Sequence, residues 1–145
     1  MIITKEIILC AELKNVWDFI TVPENFPKYV YGYNNGKILT NNKTGVGARY
    51  EWYGKLWLFK LKSIEQIVEW QSQKKVGYEG KIFSIKFNSS MSVQKIGVNK
   101  TKLKVIINYE VPFYFNGIIN FFISRIIENY VLQSLKNLDE ILSKR

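Results

Sequence analysis

Residues 16–30 read VWDFITVPENFPKYV, a helical pattern that is interrupted by Pro23 and again by Pro27. The helical face before the first proline carries apolar side chains three and four residues apart, at Leu13, Val16, Trp17 and Ile20. Proline cannot continue a helix, but it is favoured in the first turn of a new one, and it disfavours helical geometry at the residue before it, here Phe26. The stretch therefore predicts two short helical segments that meet at an angle.

The helical pattern then gives way to a period of two, which is typical of strands. Seven strands are predicted, at about residues 2–10, 36–41, 47–53, 56–67, 71–79, 83–94 and 101–111. Asn35 and Gly36 are predicted to form a turn because both tolerate a positive φ, and Gly54 is predicted to mark another. Polar and apolar residues alternate cleanly in the last two strands, which favours an antiparallel sheet with one apolar and one solvated face.

The predicted solvated face carries five lysines: Lys60, Lys62, Lys86, Lys102 and Lys104. We interpret them as a solvated surface that also discourages aggregation through a sheet edge. The net charge of +9 keeps weak association with an anionic surface as an alternative. Specific nucleic-acid recognition is not predicted, because only three of the 21 basic residues are arginines, and bidentate recognition of bases and phosphates favours arginine.

Pro112 ends the last predicted strand, and residues 114–143 predict one long helix. Its apolar stripe comprises Ile119, Phe122, Ile123, Ile126, Tyr130, Leu138 and Ile141. The first half of this helix is apolar almost all round, since it also carries Ile118 and Phe121, and such a helix is covered on all sides. The sheet can cover one side, so the proline-broken segment is predicted to form a lid over the other.

The residue types present exclude several kinds of active site. The chain has no histidine and one cysteine, Cys10. A disulfide within the chain, zinc sites built from Cys and His, and nucleophiles activated by His are therefore excluded, and Cys10 is expected to be a buried core residue. The N-terminus has charges inside its apolar run, and no stretch of about 18 apolar residues exists. Neither an export signal nor a transmembrane segment is predicted, and a cytoplasmic location is expected.

Several short motifs carry a family resemblance: Val16-Trp17 followed by TVPENFPKY at residues 21–29, GVGARY at 45–50, and NKTKL at 99–103. With the order of the predicted elements, they resemble the helix-grip fold of the START-like, or SRPBCC, superfamily, which includes polyketide cyclases and lipid-transfer domains. Residues 1–145 are thus identified as a single START-like/SRPBCC domain. The resemblance implies an α+β fold with a seven-stranded antiparallel curved sheet, a long C-terminal helix on which it wraps, and two short helices between strands 1 and 2.

In that family the sheet and the long helix enclose an apolar tunnel. The resemblance implies that Trp17 packs at the junction of helix and sheet and that Phe26 and Tyr29 border the tunnel mouth. Alternation and helical spacing add the other predicted ligand-binding residues: Trp57, Phe59, Phe87, Met91, Tyr109, Phe122, Ile126 and Tyr130. The sequence therefore predicts binding or transport of a hydrophobic small molecule, such as a lipid, an isoprenoid or an aromatic, polyketide-like compound.

Groups suited to catalysis are few. The carboxylates on or near the predicted strands are Glu51, Glu65, Glu79 and Glu110. Alternation places Glu51 and Glu110 on the solvated face, whereas Glu79, near a strand end, could approach the cavity mouth. No catalytic residue, metal site or cofactor is predicted, and the sequence leans against an enzyme. A cyclase- or dehydratase-like enzyme using tyrosines and Glu79, and a protein-interaction module, stay open as alternatives, and the chain is expected to be a monomer or a homodimer.

Overall fold

The strands and helices follow the predicted order. The computed structural model describes residues 1–112 and 117–144. Its strands are β1 (Ile2–Leu9), β2 (Tyr33–Ile38), β3 (Arg49–Leu56), β4 (Phe59–Gln71), β5 (Lys75–Ile82), β6 (Ile85–Gly97) and β7 (Lys100–Glu110). Its helices are α1 (Leu13–Thr21), a 3₁₀ helix (Pro23–Asn25), α2 (Phe26–Tyr29) and α3 (Gly117–Ser143). The predicted helix-grip architecture is confirmed, and the predicted helix residues 114–116 lie outside the described residues.

The seven strands form one antiparallel sheet in the order β1-β7-β6-β5-β4-β3-β2. Strands that follow one another in sequence are therefore neighbours from β2 to β7, and β1 completes the sheet beside β7. Paired residues on adjacent strands share a face. One row of such partners crosses the sheet: Tyr50, Glu65, Gly80, Phe87 and Tyr109. This row lies on the face toward α3, which we call the inner face.

The proline-broken segment folds into α1, the 3₁₀ helix and α2, with Pro23 as the first residue of the 3₁₀ helix. The expectation that Pro27 keeps Phe26 out of helical geometry is wrong, because Phe26 has φ −54° and ψ −49°. Its buried ring stacks on the ring of Trp52, with 5.0 Å between the ring centroids. Burial of an aromatic side chain outweighs the local conformational preference here.

The proline-broken segment packs on the second half of α3, and not on the first half as predicted. The side-chain amide of Asn137 donates a hydrogen bond to the Tyr29 carbonyl oxygen at 3.3 Å, and the Tyr31 backbone N–H donates to Ser134 Oγ at 2.8 Å. Three apolar side chains in the first half of α3 stay between 59% and 70% exposed: Ile118, Phe121 and Phe122. Among the described residues, the first half of α3 thus has an exposed apolar side near its start.

Two predicted turns lie inside strands. Asn35 and Gly36 belong to β2, where a Cβ atom on Gly36 would lie only 2.2 Å from the Trp52 ring. Glycine is required there by the close approach of that ring and not by a positive φ. The turn expected near Gly54 falls at residues 57–58 between β3 and β4, where Trp57 has φ 55°.

Candidate ligand-binding cavity

A cavity of about 540 Å³ lies between the inner face of the sheet and α3. Its helix wall is formed by Ile123, Ile126, Ile127, Tyr130, Val131, Ser134, Leu135 and Leu138. Aliphatic and aromatic side chains of the strands form most of the opposite wall. The volume falls within the range of about 300–1,000 Å³ that is usual for small-molecule sites, and such sites are mostly apolar with a few polar groups.

Most residues predicted to bind a ligand lie on the wall of this cavity. Nine of the ten do so: Phe26, Tyr29, Trp57, Phe59, Phe87, Met91, Tyr109, Ile126 and Tyr130. Phe122 is 60% exposed and is not among the described residues of the lining. The inward stripe of α3 runs through Ile123, Ile126 and Tyr130 at spacings of three and four, which leaves Phe122 beside it. Ligand binding by these residues stays a prediction.

Phe26 and Tyr29 lie at the closed end of the cavity, whereas the family resemblance implies a place at its mouth. Their exposed fractions are 3% and 4%, and the Tyr29 hydroxyl donates a hydrogen bond of 2.9 Å to the carbonyl oxygen of Ile20. Buried rings that are fixed by packing and hydrogen bonds are poorly suited to act as a gate. We refer to this closed end, with Glu65 and Tyr78, as the cavity floor.

The mouth lies at the opposite end, beside the β3–β4 and β5–β6 turns. Trp57, Phe59 and Phe83 line the cavity there and are 63%, 60% and 48% exposed. Tyr130 connects this end of the sheet to α3, because its hydroxyl accepts a hydrogen bond from the Trp57 backbone N–H at 2.7 Å and donates to the Lys55 carbonyl oxygen at 3.3 Å. At the mouth, the hydrogen bonds of Tyr130 therefore hold α3 against the β3–β4 turn, and the strand side carries exposed rings.

An exposed apolar surface surrounds the mouth. We define the apolar rim as Trp57, Leu58, Phe59 and Phe83, of which Leu58 is 78% exposed. Two pairs of exposed lysines flank the rim turns, with Lys55 opposite Lys60 and Lys81 opposite Lys86. Like charges directly opposite each other destabilise a pair of strands, so this arrangement has a cost in folding stability.

In residues 1–112 and 117–144, no helix is long and apolar enough to cross a membrane.

Glu65 is a buried carboxylate at the cavity floor, with an exposed fraction of 6%. The Trp52 indole N–H donates a hydrogen bond of 2.9 Å to its Oε1 atom. Burial raises the pKa of Glu65 from 4.5 to about 7, and the hydrogen bond from Trp52 offsets part of that rise. No role was predicted for Glu65, although alternation from Leu61 through Ser63 places it on the inner face.

Tyrosine hydroxyls surround the Glu65 carboxylate. Burial raises the pKa of four tyrosines, and the charge of Glu65 adds to the rise in each: Tyr29, Tyr33, Tyr50 and Tyr78. The Tyr50 hydroxyl donates to the Lys43 carbonyl oxygen. Within the described part of the chain, the buried Tyr78 hydroxyl has no hydrogen-bond partner. A buried hydroxyl without a partner is unusual and is a place where a ligand can bind.

The chain is similar to known proteins in its structure. No protein-family model matches the chain, and no curated protein matches it. The Zhui aromatase/cyclase of a Streptomyces species superposes with a TM-score of 0.85 at 7% identity, over 100% of this chain and 94% of that one. A START superfamily protein from Mycobacterium smegmatis gives 0.75 at 14% identity, over 99% and 95% of the two chains. The chain has a START-like fold. A Thermus thermophilus protein also shares it, with a TM-score of 0.81 at 17% identity over 97% and 95% of the two chains.

The outer face of the START-like sheet carries the five predicted surface lysines. Three are exposed and two are half-buried, and none is among the described residues that line the cavity: Lys60, Lys62, Lys86, Lys102 and Lys104. Glu79 is exposed on this face too, because its strand neighbours Tyr78 and Gly80 point inward. The prediction that Glu79 could approach the cavity mouth is therefore wrong, and Glu65 is the carboxylate that lines the START-like cavity.

Cys10 is exposed, and the expectation of a buried core residue is wrong. It follows the last residue of β1 and borders a depression of about 570 Å³. Other residues around this depression are mostly polar, and include Glu12, Asn15, Asp18, Asn25 and Asn99. The depression is thus chemically unlike the apolar cavity of the START-like fold.

Proposed function

We propose that this protein binds a hydrophobic small molecule in the cavity and transports it. The observation that carries the proposal is a cavity of about 540 Å³ whose mostly apolar lining extends from the exposed rim to the buried floor. Apolar surface gains free energy when it leaves water, at about 25 cal/mol per Å², and a preformed cavity avoids the cost of ordering the site. Lipids, isoprenoids and aromatic, polyketide-like compounds are the ligand classes that suit such walls.

The fold also supports the proposal, but it does not identify the ligand. One protein with the same fold is named as a START superfamily protein and another as an aromatase/cyclase. Those names concern the other proteins, and they make a ring-containing or lipid-like ligand a reasonable first class to test here. Residues from β3 to β7 and from α3 would hold it, since these elements supply most of the wall.

Native mass spectrometry of the purified protein tests this function. We expect a species heavier than the polypeptide by the mass of one small molecule, and we expect organic extraction to release an apolar compound of that mass. Protein that carries no such compound, and that also fails to bind apolar probes, would contradict the proposal.

A second candidate function is a cyclase- or dehydratase-like activity, which Glu65 favours. A carboxyl group with a pKa of about 7 can accept and donate protons near neutral pH, which is what general acid–base catalysis requires. In this version Glu65 replaces Glu79 as the acting carboxylate, and Tyr78 is its neighbour. Incubation of the extracted compound with fresh protein separates the two functions, because a carrier returns it unchanged and an enzyme converts it to a product.

We further propose that the apolar rim docks on an anionic lipid surface while ligand enters or leaves. Trp57, Leu58, Phe59 and Phe83 expose apolar area at the tips of two neighbouring turns. The lysine pairs that flank these turns are placed to contact lipid phosphates and carboxylates while the rings enter the acyl boundary. Exposed rings with adjacent basic residues are typical of proteins that lie on a membrane surface.

Vesicle sedimentation with the Leu58→Glu variant tests the docking proposal. Leu58 is not among the described lining residues, so the variant is expected to keep probe binding in the cavity. We expect it to bind phosphatidylserine-containing vesicles at least about tenfold more weakly than the unmodified protein, because it loses the leucine that would enter the lipid and gains a charge that the anionic surface repels. Binding by the unmodified protein is expected to weaken with salt and to need phosphatidylserine.

Val98→Glu is the matched control, because Val98 is 86% exposed at the β6–β7 turn, which lies at the opposite end of the sheet. It should leave vesicle binding unchanged. Equal loss in both variants, or no binding of the unmodified protein to vesicles with or without phosphatidylserine, would contradict docking. A dimer in sedimentation that Leu58→Glu dissociates would instead identify the rim as an interface between two copies of this chain.

A further inference from the structure

We infer that the cavity floor selects a ligand whose apolar body ends in a hydroxyl group, which donates a hydrogen bond to Glu65 and accepts one from Tyr78. This inference rests on the proposed function, because it names the chemical class of the molecule that the cavity would bind. Glu65 and Tyr78 both line the cavity and are 6% and 4% exposed. Within the described residues, Glu65 accepts one hydrogen bond, from Trp52 Nε1, and Tyr78 Oη has no hydrogen-bond partner.

The register of the sheet brings the two groups together. Glu65 on β4 pairs with Gly80 on β5, and Tyr78 is two residues before Gly80, so both side chains stand on the inner face as diagonal neighbours. Diagonal neighbours in a sheet lie about 7–8 Å apart at the backbone, so both side chains reach the same part of the cavity. A ligand hydroxyl that enters from the mouth would meet both.

The hydrogen bonds already made at the floor leave capacity for a ligand. Trp52 Nε1 donates to Oε1 of Glu65, and a carboxylate has two oxygens that can accept further hydrogen bonds. Tyr78 Oη has no partner within residues 1–112 and 117–144, whereas Tyr29 Oη donates to the Ile20 carbonyl oxygen. Within the described residues, the floor therefore offers a carboxylate with capacity for a further hydrogen bond and a tyrosine hydroxyl without a partner.

The surroundings favour a neutral group over an ion. Gly80 has no side chain, and the Phe87 ring occupies the space beside it, since a Cβ atom there would lie 2.7 Å from Cζ of Phe87. An anion would be repelled by Glu65, and a cation would have to leave water for a site walled by rings, which is costly. A hydroxyl is neutral, donates to a carboxylate and accepts from a tyrosine, and thus satisfies both groups.

Calorimetric titration with two probes that share one ring system tests the inference. 2-Naphthol has a hydroxyl donor, and 2-methoxynaphthalene has the same ring body without a donor. Near pH 8, where Glu65 is mostly ionised, we expect 2-naphthol to bind about tenfold more tightly, because hydrogen bonds to charged groups are the stronger ones. Tyr78→Phe is expected to weaken 2-naphthol binding about threefold, because it removes the hydroxyl that donates to the oxygen of the probe.

The variants separate the possible outcomes. Tyr78→Phe removes a buried hydroxyl without a described partner, so it should not destabilise the chain. Glu65→Leu should abolish the preference for 2-naphthol, and Glu79→Leu, which changes the neighbouring outward carboxylate, should preserve it. Equal binding of both probes to the unmodified protein would overturn the hydroxyl inference and leave the proposed function standing. Binding of neither probe would overturn both.

Discussion

Glu65→Gln is expected to make the protein more stable near pH 8 by about 3 kcal/mol, and to change its stability little near pH 4. The folded protein holds the Glu65 proton up to a pKa of about 7, whereas the unfolded chain releases it near 4.5. Each unit of difference corresponds to about 1.4 kcal/mol. Glutamine keeps an oxygen that can accept the hydrogen bond from Trp52 Nε1, and it carries no charge to bury.

The direction of the effect follows from proton linkage. Between about pH 4.5 and 7 the folded state binds more protons at Glu65 than the unfolded state, so stability falls as pH rises through this interval and levels off above it. Charged side chains near Glu65 do not add to this shift, since burial and the Trp52 hydrogen bond are its causes. The titratable groups around it are the hydroxyls of Tyr29, Tyr33, Tyr50 and Tyr78, and burial raises the pKa of each further above neutrality.

Urea unfolding at several pH values measures the effect. A difference of about 3 kcal/mol should move the midpoint near pH 8 by roughly 1–3 M. The carboxylates whose pKa is lowered, Glu24 and Glu128, contribute equally to both proteins and cancel in the comparison. Glu79→Gln is the control, because Glu79 is exposed on the outer face, and it should change stability by no more than about 0.5 kcal/mol. Parallel pH profiles for Glu65→Gln and the unmodified protein would show that Glu65 is not buried as a carboxylate.

A stability gain at Glu65 would also bear on function. Natural proteins keep a buried carboxylate where a ligand or a reaction needs it, and such groups lower the stability of the folded state. The Trp52 ring stacks on Phe26 at 5.0 Å and on Tyr33 at 5.6 Å while its N–H binds Glu65. The aromatic packing around the floor thus positions the carboxylate and excludes water from it.

Much of the fold could be predicted because its strongest signals are local. Pro23 marks the break between two helical segments in any context, and strict alternation in β6 and β7 identifies a face whatever lies against it. Local signals failed at Gly36. Glycine is required at this position of β2 because the Trp52 ring lies against it, and Trp52 is on another strand. From the sequence alone, a glycine that forms a turn cannot be distinguished from a glycine that allows close packing.

The walls of the candidate site were predictable, but the buried carboxylate at its floor was not. Alternation and helical spacing give the direction of a side chain, which is enough to find wall residues such as Phe87 and Ile126. The chemical state of Glu65 depends on Trp52, 13 residues earlier, and on rings from α2 and β5. The spacing of residues in the sequence does not predict how deeply such a carboxylate is buried.

The position of the proline-broken segment shows the same dependence on tertiary packing. The need to cover the apolar first half of α3 predicted a lid there, but the contacts that place the segment join Tyr29 to Asn137, 108 residues apart in sequence. With the second half of α3 covered instead, Phe121 and Phe122 stay exposed. Exposed apolar surface of this extent is typical of an interaction site.

Ile126→Trp is expected to weaken binding of the apolar fluorescent probe N-phenyl-1-naphthylamine by about 10- to 100-fold. Ile126 lines the cavity from the middle of the α3 stripe, opposite the strand wall that includes Phe87 and Met91. An indole ring at this position takes up volume that a ligand would need, and overfilling a packed space costs about 1–3 kcal/mol, which corresponds to that loss of affinity. Titration of probe fluorescence, with quenching of the native tryptophans as a second signal, measures it.

Leu132→Trp is the matched control for this variant. Leu132 is on the same helix, is 45% exposed and is not among the described residues that line the cavity, so an indole there should leave probe affinity unchanged. Should Ile126→Trp bind the probe as well as the unmodified protein does, the probe would be bound elsewhere, and the exposed apolar rim is the surface to examine. Loss of binding in Leu58→Glu would then place the probe on the rim, and the carrier function would lose its support. Loss in Ile126→Trp alone would place the probe between the sheet and α3, because only that space changes when this side chain grows.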